Sequence, residues 1–273
     1  MSTSNTFNLS TAAAEIYESQ KVPSIFGPLA KATLEAVSLL ENSRALDIAC
    51  GTGIIAKLLT ERLPGTGRIV GTDLNPAMVE IARRTMPDSR HSVEWFVCDA
   101  GELPFEDGEF DIAFCQQGLQ FFPDKPRALA EIARVLAPNG RLVLTCWRAI
   151  SPLFQAVSNS LSKRVSGKSA KQALDPFSFR DGEVIASLLR DAGFRHAQAS
   201  SLLVPRPLTP ARAAIRREIL ASPYEKELLD KGDEVIDAVV ADVDAALEQY
   251  RQGESLFIPQ EAHLFQAEKS AAA

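Results

Sequence analysis

The chain has 273 residues, 46% apolar and 23% charged, an ordinary globular composition with ample material for a core and room for one large domain or two small ones. No run approaches the roughly 18 to 20 apolar residues a membrane span needs, and "MSTSNTFNLSTAAAEIYE" lacks the basic start and apolar centre of a secretory signal, so the expected setting is the cytoplasm. A formal net charge of −6 argues against a non-specific nucleic-acid binder, and the arginines of "RALAEIARVLAPNGR" and "ARAAIRRE" are read as solvated helix faces.

The amino-terminal part, residues 11–40, predicts one or two helices broken by Pro23 and Pro28. From about Ala45 to Trp147 short apolar runs alternate with helical ones. "ALDIAC", "RIVGTDL", "VEWFVCD", "FDIAFCQ" and "RLVLTCW" read as strands; "IIAKLLTERL", "NPAMVEIARRTM" and "KPRALAEIARVLA" carry apolar residues at three- and four-residue spacing. The link "AGELPFEDGEF" is too short and polar for a full helix, and "PNG" supplies a turn before the fifth strand. Beyond Trp147, "SPLFQAVSNSLSKRVSGKSAKQALDP" predicts a helix and then a mobile loop. "DGEVIASLLRDAGF" is a helix stopped by Gly193, "HAQASSLLVP" a strand, "TPARAAIRREILAS" and "DEVIDAVVADVDAALEQYR" helices, and "ESLFIPQEAHLFQAEK" a closing strand. The pattern predicts an α/β, Rossmann-like fold: a seven-stranded, mostly parallel sheet with helices on both faces and a helical insertion near the carboxyl terminus, about 209–252.

Cys50, Cys98, Cys115 and Cys146 form no CxxC pair, so neither a metal site nor a disulfide framework is expected; each stands near a strand end, where a free thiol packs as a small hydrophobe. In an open parallel sheet, ligands lie outside the carboxyl ends of the strands. The first strand ends in Asp47, Gly51, Thr52 and Gly53, opening a helix; the second in Asp73, 20 residues beyond Gly53; the third in Cys98-Asp99-Ala100; the fourth in Gln116-Gln117. Each taken singly has a bland reading as a turn, a helix cap or a loop carboxylate. Together they describe a nucleoside cradle. Asp47 beside the turn would repel a pyrophosphate and suits a cationic ligand bearing an amino-acid group; S-adenosylmethionine is such a ligand.

"ALDIACGTG", "GTDLNPAMVEIARR", "VCDAGELPFEDGEFDIAFCQQGLQFFPD" and "ALAEIARVLAPNGRLVLTCW" resemble, in order, successive motifs of the class I S-adenosylmethionine-dependent methyltransferases, most nearly the small-molecule group of the ubiquinone/menaquinone and biotin-pathway enzymes. The resemblance implies that Asp47 and the backbone of Ala49, Gly51 and Gly53 hold the methionine moiety. It implies Asp73 on the ribose hydroxyls, Leu74 and Met78 against the adenine, Asp99 and the Ala100 backbone on the adenine amino edge, Gln116 near the methionine end, and Tyr17 as a lid residue. It also implies residues 1–40 as an amino-terminal lid, 41–150 as the cofactor core and 151–273 as remaining strands with an acceptor-side cap.

Methyl transfer from a sulfonium needs positioning and water exclusion more than a base. His91 is read as exposed in its loop, and His196 and His263 as structural. Phe121, Phe122 and Phe154 are candidates for an apolar acceptor pocket. The NPPY-type signature of amino-group methyltransferases is absent after the fourth strand, which argues against N-methylation of nucleic acid or protein; an enclosed pocket for a small, partly apolar acceptor is expected, with O- or C-methylation favoured over N. The expected partners are a small-molecule acceptor, no nucleic acid and no membrane span; the helical insertion is open to capping the site or to a homodimer contact. A nicotinamide-dependent dehydrogenase and a non-catalytic S-adenosylmethionine-binding protein are the competing readings.

Overall fold

The computed structural model describes residues 10–270. Helix α1 (Thr11–Ile16) runs without a break into a π-helical stretch, Tyr17–Phe26, and then into α2 (Gly27–Glu35). Pro23 does not break this segment. It lies inside the π turn, whose wider register accommodates a residue with no N–H, and Pro28 follows where that stretch passes into α2.

Strand β1 (Arg44–Ile48), α3 (Ile54–Arg62), β2 (Arg68–Asp73), α4 (Pro76–Thr85), β3 (Ser92–Val97), β4 (Phe110–Gln116), α5 (Lys125–Val135) and β5 (Leu136–Trp147) follow the expected alternation, with no helix between β3 and β4. The "PNG" turn is a bulge within β5: Phe110 pairs with Leu136 and Ile112 with Arg141, and Asn139 is left-handed at φ 59°. Next come α6 (Pro152–Arg164), α7 (Gly167–Gln172), α8 (Gly182–Asp191), β6 (Phe194–Arg195), β7 (Ala199–Leu208), α9 (Ala211–Leu220), α10 (Glu225–Lys231), α11 (Asp233–Ala246), β8 (Arg251–Gln252) and β9 (Ser255–Lys269). The Ser/Lys/Gly segment expected as a mobile loop is helical. Ser166 caps α7 by accepting the Ser169 N–H at 3.1 Å, and Ser169 and Ala170 are buried. The strand expected from His196 begins only at Ala199, as β7; His196 lies in the turn between it and the short β6, exposed and left-handed at φ 57°.

The chain forms two compact units and passes between them four times. Among the described residues the first comprises 10–146, 181–202 and 263–270. The strand order of the sheet is β3-β2-β1-β4-β5-β9-β6, with β7 and β8 also paired to β9, nine strands rather than the seven expected. The pairs from β3 to β5 are parallel, and β6 and β8 run antiparallel to β9. From β1 the chain winds outward through α3 and α4, then returns to β4 on the other side of β1. Right-handed crossovers therefore place α5 on the opposite face from α3 and α4. Ile55, Leu59, Ile69, Phe114 and Val143 form the core on one face. The order reverses between β1 and β4, the place where such sheets open a crevice at their carboxyl ends.

The second unit, residues 147–180 and 203–262, has its own core of α6, α7, α9, α10 and α11, where Leu153, Val157, Ile215, Leu228, Val239 and Ile258 meet. Among the described residues no helix is long and apolar enough to cross a membrane.

Candidate cofactor and active site

The turn after β1 is held by backbone bonds, Cys50 N–H to Thr72 O and Gly53 N–H to Cys50 O, both 2.9 Å. Three residues in it are left-handed: Ala49 at φ 52°, Gly51 at 55° and Gly53 at 84°. The two glycines serve different ends. A Cβ on Gly53 would stand 2.5 Å from the Trp95 ring and 3.2 Å from the Ala82 Cβ, so packing of β3 and α4 against the turn forbids a side chain. A Cβ on Gly51 would meet the Tyr17 hydroxyl at 3.5 Å and its ring at 3.6 Å, ordinary contacts, so steric crowding does not exclude it there. Gly51 is thus the residue that keeps bare backbone facing Tyr17.

Asp47 ends β1 buried, and its Oδ2 accepts the Ala56 N–H of the first turn of α3 at 3.2 Å. Burial pushes its carboxyl up to about 8, against the lowering effect of that bond. Asp73, ending β2, takes the Gly51 N–H on Oδ2 at 2.8 Å and the Asn75 N–H on Oδ1 at 2.9 Å. Burial raises its carboxyl as well, opposed by these backbone donors. With the Leu74 N–H, which also faces the carboxylate, these donors fix it at the tip of β2. Asn75 caps α4 through the Ala77 N–H at 2.9 Å. Asp99 is exposed after β3 and accepts the Gly101 N–H at 2.7 Å; Ala100 adjoins it. Leu74 is largely exposed, whereas Met78 is buried.

Tyr17 packs against the cluster of Ala14, Met78 and Ile81, and stacks on Phe26 with ring centroids 5.1 Å apart. Its hydroxyl is held well above the ordinary phenol range by burial first and by the nearby Asp73 second. The segment that carries it is strapped down by Glu18 to Lys57 at 2.7 Å, Glu15 to Arg84 at 2.9 Å, and Gln116 Nε2 to Phe26 O at 3.1 Å. The structure therefore brings Tyr17, Gly51, Asp73 and Met78 together, with Asp47 beneath the same turn.

At the end of β4, Gln117 is buried and left-handed at φ 57°; its Oε1 accepts from Gln120 Nε2 at 3.0 Å. Gln116 Oε1, Gln117 Nε2 and Gln120 Oε1 have no partner among the described residues. Gln120 was not foreseen; its signal is the three-residue spacing from Gln117 in a tight turn. Phe121 is exposed.

The histidines lie elsewhere. His91 is buried rather than exposed: its Nδ1 accepts the Gly67 N–H at 2.9 Å on the amino-terminal side of β2 and β3, and burial lowers its pKa. The His263 ring packs over Gly182, where a Cβ would stand 2.9 Å from it. The four cysteines are free thiols, with Cys50, Cys115 and Cys146 buried. No cluster suited to a metal ion occurs among the described residues.

Carboxylates and bare backbone at the switch point of a parallel sheet define a nucleoside-cofactor enzyme of the Rossmann-like class. Residues 46–144 match the family model described as a methyltransferase domain. The chain is 35% identical over 181 residues to the ubiquinone/menaquinone biosynthesis C-methyltransferase of Bordetella parapertussis, covering 62% of this chain and 70% of that one. It is 46% identical over 101 residues to the demethylmenaquinone methyltransferase of Thermus thermophilus, covering 37% and 46%. Its fold is similar to that of phosphoethanolamine N-methyltransferase 2 of Haemonchus contortus, solved with S-adenosylhomocysteine: TM-score 0.59 at 20% identity, over 97% of this chain and 58% of that one. The chain belongs to the class I S-adenosylmethionine-dependent methyltransferases. Neither the dehydrogenase reading nor the non-catalytic one is favoured.

Proposed function

We propose that the chain transfers the methyl group of S-adenosylmethionine to a ring carbon of a small quinone-type acceptor in its reduced, hydroxyl-bearing form, with an oxygen of a related acceptor as the second choice. The acceptor class is supported by the two relatives, both named as methyltransferases of quinone biosynthesis. The observation that carries the reading is Asp73, whose carboxylate is held at the tip of β2 by the N–H groups of Gly51, Leu74 and Asn75, where it suits vicinal ribose hydroxyls.

The bound cofactor supplies an electrophilic methyl on a sulfonium, ready for in-line displacement. The chain's residues bind, orient and exclude water. Asp73 takes the ribose, Asp99 and the Ala100 backbone the adenine amino edge, and Leu74 and Met78 the adenine faces. The bare backbone of Ala49, Gly51 and Gly53 lies along the methionine part, and Asp47 faces its ammonium. That cation would favour the ionised carboxylate and so offset the penalty of burial. Tyr17 on its strapped segment covers the cofactor and keeps water out. Gln116, Gln117 and Gln120 offer amide groups to the acceptor's hydroxyls. The described histidines, pinned or exposed away from these residues, leave an already electron-rich acceptor as the better fit than one needing a strong base.

The four free thiols support a reducing, cytoplasmic setting in this reading. Incubation with labelled S-adenosylmethionine and a panel of demethylated hydroquinones, phenols and amines tests the proposal. Label on a ring carbon of a hydroquinone is the expected result; label confined to amines would sink it.

A further inference from the structure

The second unit is packed almost entirely from aliphatic side chains, yet it encloses a charged pair. Arg206 on β7 is 3% exposed and Glu218 on α9 is 7% exposed, joined through Nη2 and Oε2 at 2.5 Å. The guanidinium also lies over the Phe154 ring of α6, 6.0 Å from its centroid. A guanidinium committed this deeply usually spends its fork on two acceptors at once. Here Nε and Nη1 have no acceptor among the described residues. Removing such donors from water without a partner costs about 1–3 kcal/mol each, and the ion pair itself gains little net stability over an apolar replacement. Packing alone gives no reason to retain the arrangement.

The other buried, unpartnered side-chain polar atoms of this unit are Gln260 Nε2, on strand β9, which pairs with β7, and Ser151 Oγ, one turn ahead of Phe154. All of these groups carry hydrogens to donate. The pair's net charge is zero, so a fully charged anion would leave an uncompensated charge among aliphatic neighbours. What matches is a neutral ligand whose oxygens only accept.

We infer that the second unit holds a recognition site for a small apolar ring molecule bearing carbonyl oxygens, with Arg206 as the main donor and Phe154 as the apolar face. The inference deepens the proposed acceptor class and rests on it in one respect: the oxidised form of a quinone-type acceptor carries such oxygens, and the hydroxyl oxygens of the reduced form can accept from the same donors. The role assigned to Arg206 is specificity and positioning, separate from the cofactor-binding residues.

The probe is duroquinone, fully substituted so that it is neither methylated nor readily attacked by thiols. It is titrated by calorimetry and saturation-transfer NMR into the full chain loaded with S-adenosylhomocysteine. The wild type is expected to bind it, and the paired replacement R206M/E218L, which removes both charges together, to bind at least about tenfold more weakly, the loss of one charge-assisted hydrogen bond. Its affinity for S-adenosylhomocysteine should stay within about twofold. If the pair fails to fold, Arg206→Lys keeps the charge while discarding Nε and Nη1, with the same loss expected. No duroquinone binding by the wild type, or equal binding by the variants, overturns the inference. Failure of the proposed reaction reads differently: duroquinone binding that depends on Arg206, with no methyl transfer to hydroquinones, leaves this site standing and removes the reaction.

Discussion

The two units solve the problem of burying polar groups in different ways. In the first, each strand-end carboxylate is paired with main-chain donors: Asp47 with Ala56, Asp73 with Gly51 and Asn75, and Asp99 with Gly101. Backbone does the aiming, so the site depends on a short contiguous run of sequence. In the second, Arg206 and Glu218 pair side chain to side chain and leave donors over. Main-chain donors come free with the fold and orient a carboxylate at little entropic cost. A side-chain site requires the surrounding core to hold its geometry.

The sharpest way to break this comparison is Asp73→Ala. Losing two hydrogen bonds to a carboxylate, about 1.5–3 kcal/mol each, should weaken S-adenosylhomocysteine at least a hundredfold by calorimetry while leaving duroquinone affinity nearly unchanged. Equal loss of both ligands would mean the two sites are not separable.

The glycines provide the next test. Gly53→Ala puts a methyl into the Trp95 ring at a left-handed position, expected to cost about 2–4 kcal/mol in denaturant unfolding without cofactor. Adding Trp95→Leu should restore part of that loss. Gly51→Ala meets only an ordinary contact, so about 1 kcal/mol of stability should go, together with a disproportionate loss of cofactor affinity. If the two variants behave alike, the different roles drawn for them are wrong.

A smaller effect concerns pH. Asp47 in the folded chain titrates near 8, above the ordinary carboxylate value, so its contribution to stability is present below about pH 4 and is lost as the pH rises toward 8. Asp73 shifts in the same direction. Through Asp47 the cofactor-free protein should therefore lose stability from pH 5 to 8, at most about 1.4 kcal/mol per pH unit. Asp47→Asn, which can still accept the Ala56 N–H, should flatten the slope. An unchanged slope in that variant would place the titration elsewhere. Smallest of all, Glu18→Gln breaks the strap to Lys57. It should cost about 0.5–1 kcal/mol and raise KM for the cofactor a few-fold with kcat little changed; a fall in kcat alone would contradict the strap role.

The same comparison explains what could be read in advance. The strand-tip residues were legible because the turn chemistry, the switch point and the caps all act within a few residues of one another. His91 was misjudged because polar neighbours in "PDSRHS" conceal a bond to Gly67, 24 residues earlier. Pro23 looked like a helix break because periodicity assumes the α register, and a π turn tolerates it. The α7 segment looked like a loop because Ser166 and Gly167 were read as flexibility, whereas Ser166 is a cap. Helix α10 had no strong apolar signal of its own, and only Leu228 is buried. Nothing in "PRPLTPARAAIRREIL" tells which arginine is buried. Only the inward register of Val204, Arg206 and Leu208 on β7 decides that.

The most direct measurement is a crystal structure of the full chain with S-adenosylhomocysteine. The expected result is the ribose hydroxyls on Asp73, the adenine amino group at Asp99, and the amino-acid tail along the bare backbone of Gly51 beneath Tyr17. A nucleoside bound elsewhere, or bound there with the Asp73 carboxylate turned away from the sugar, would contradict the assignment of this strand-tip site.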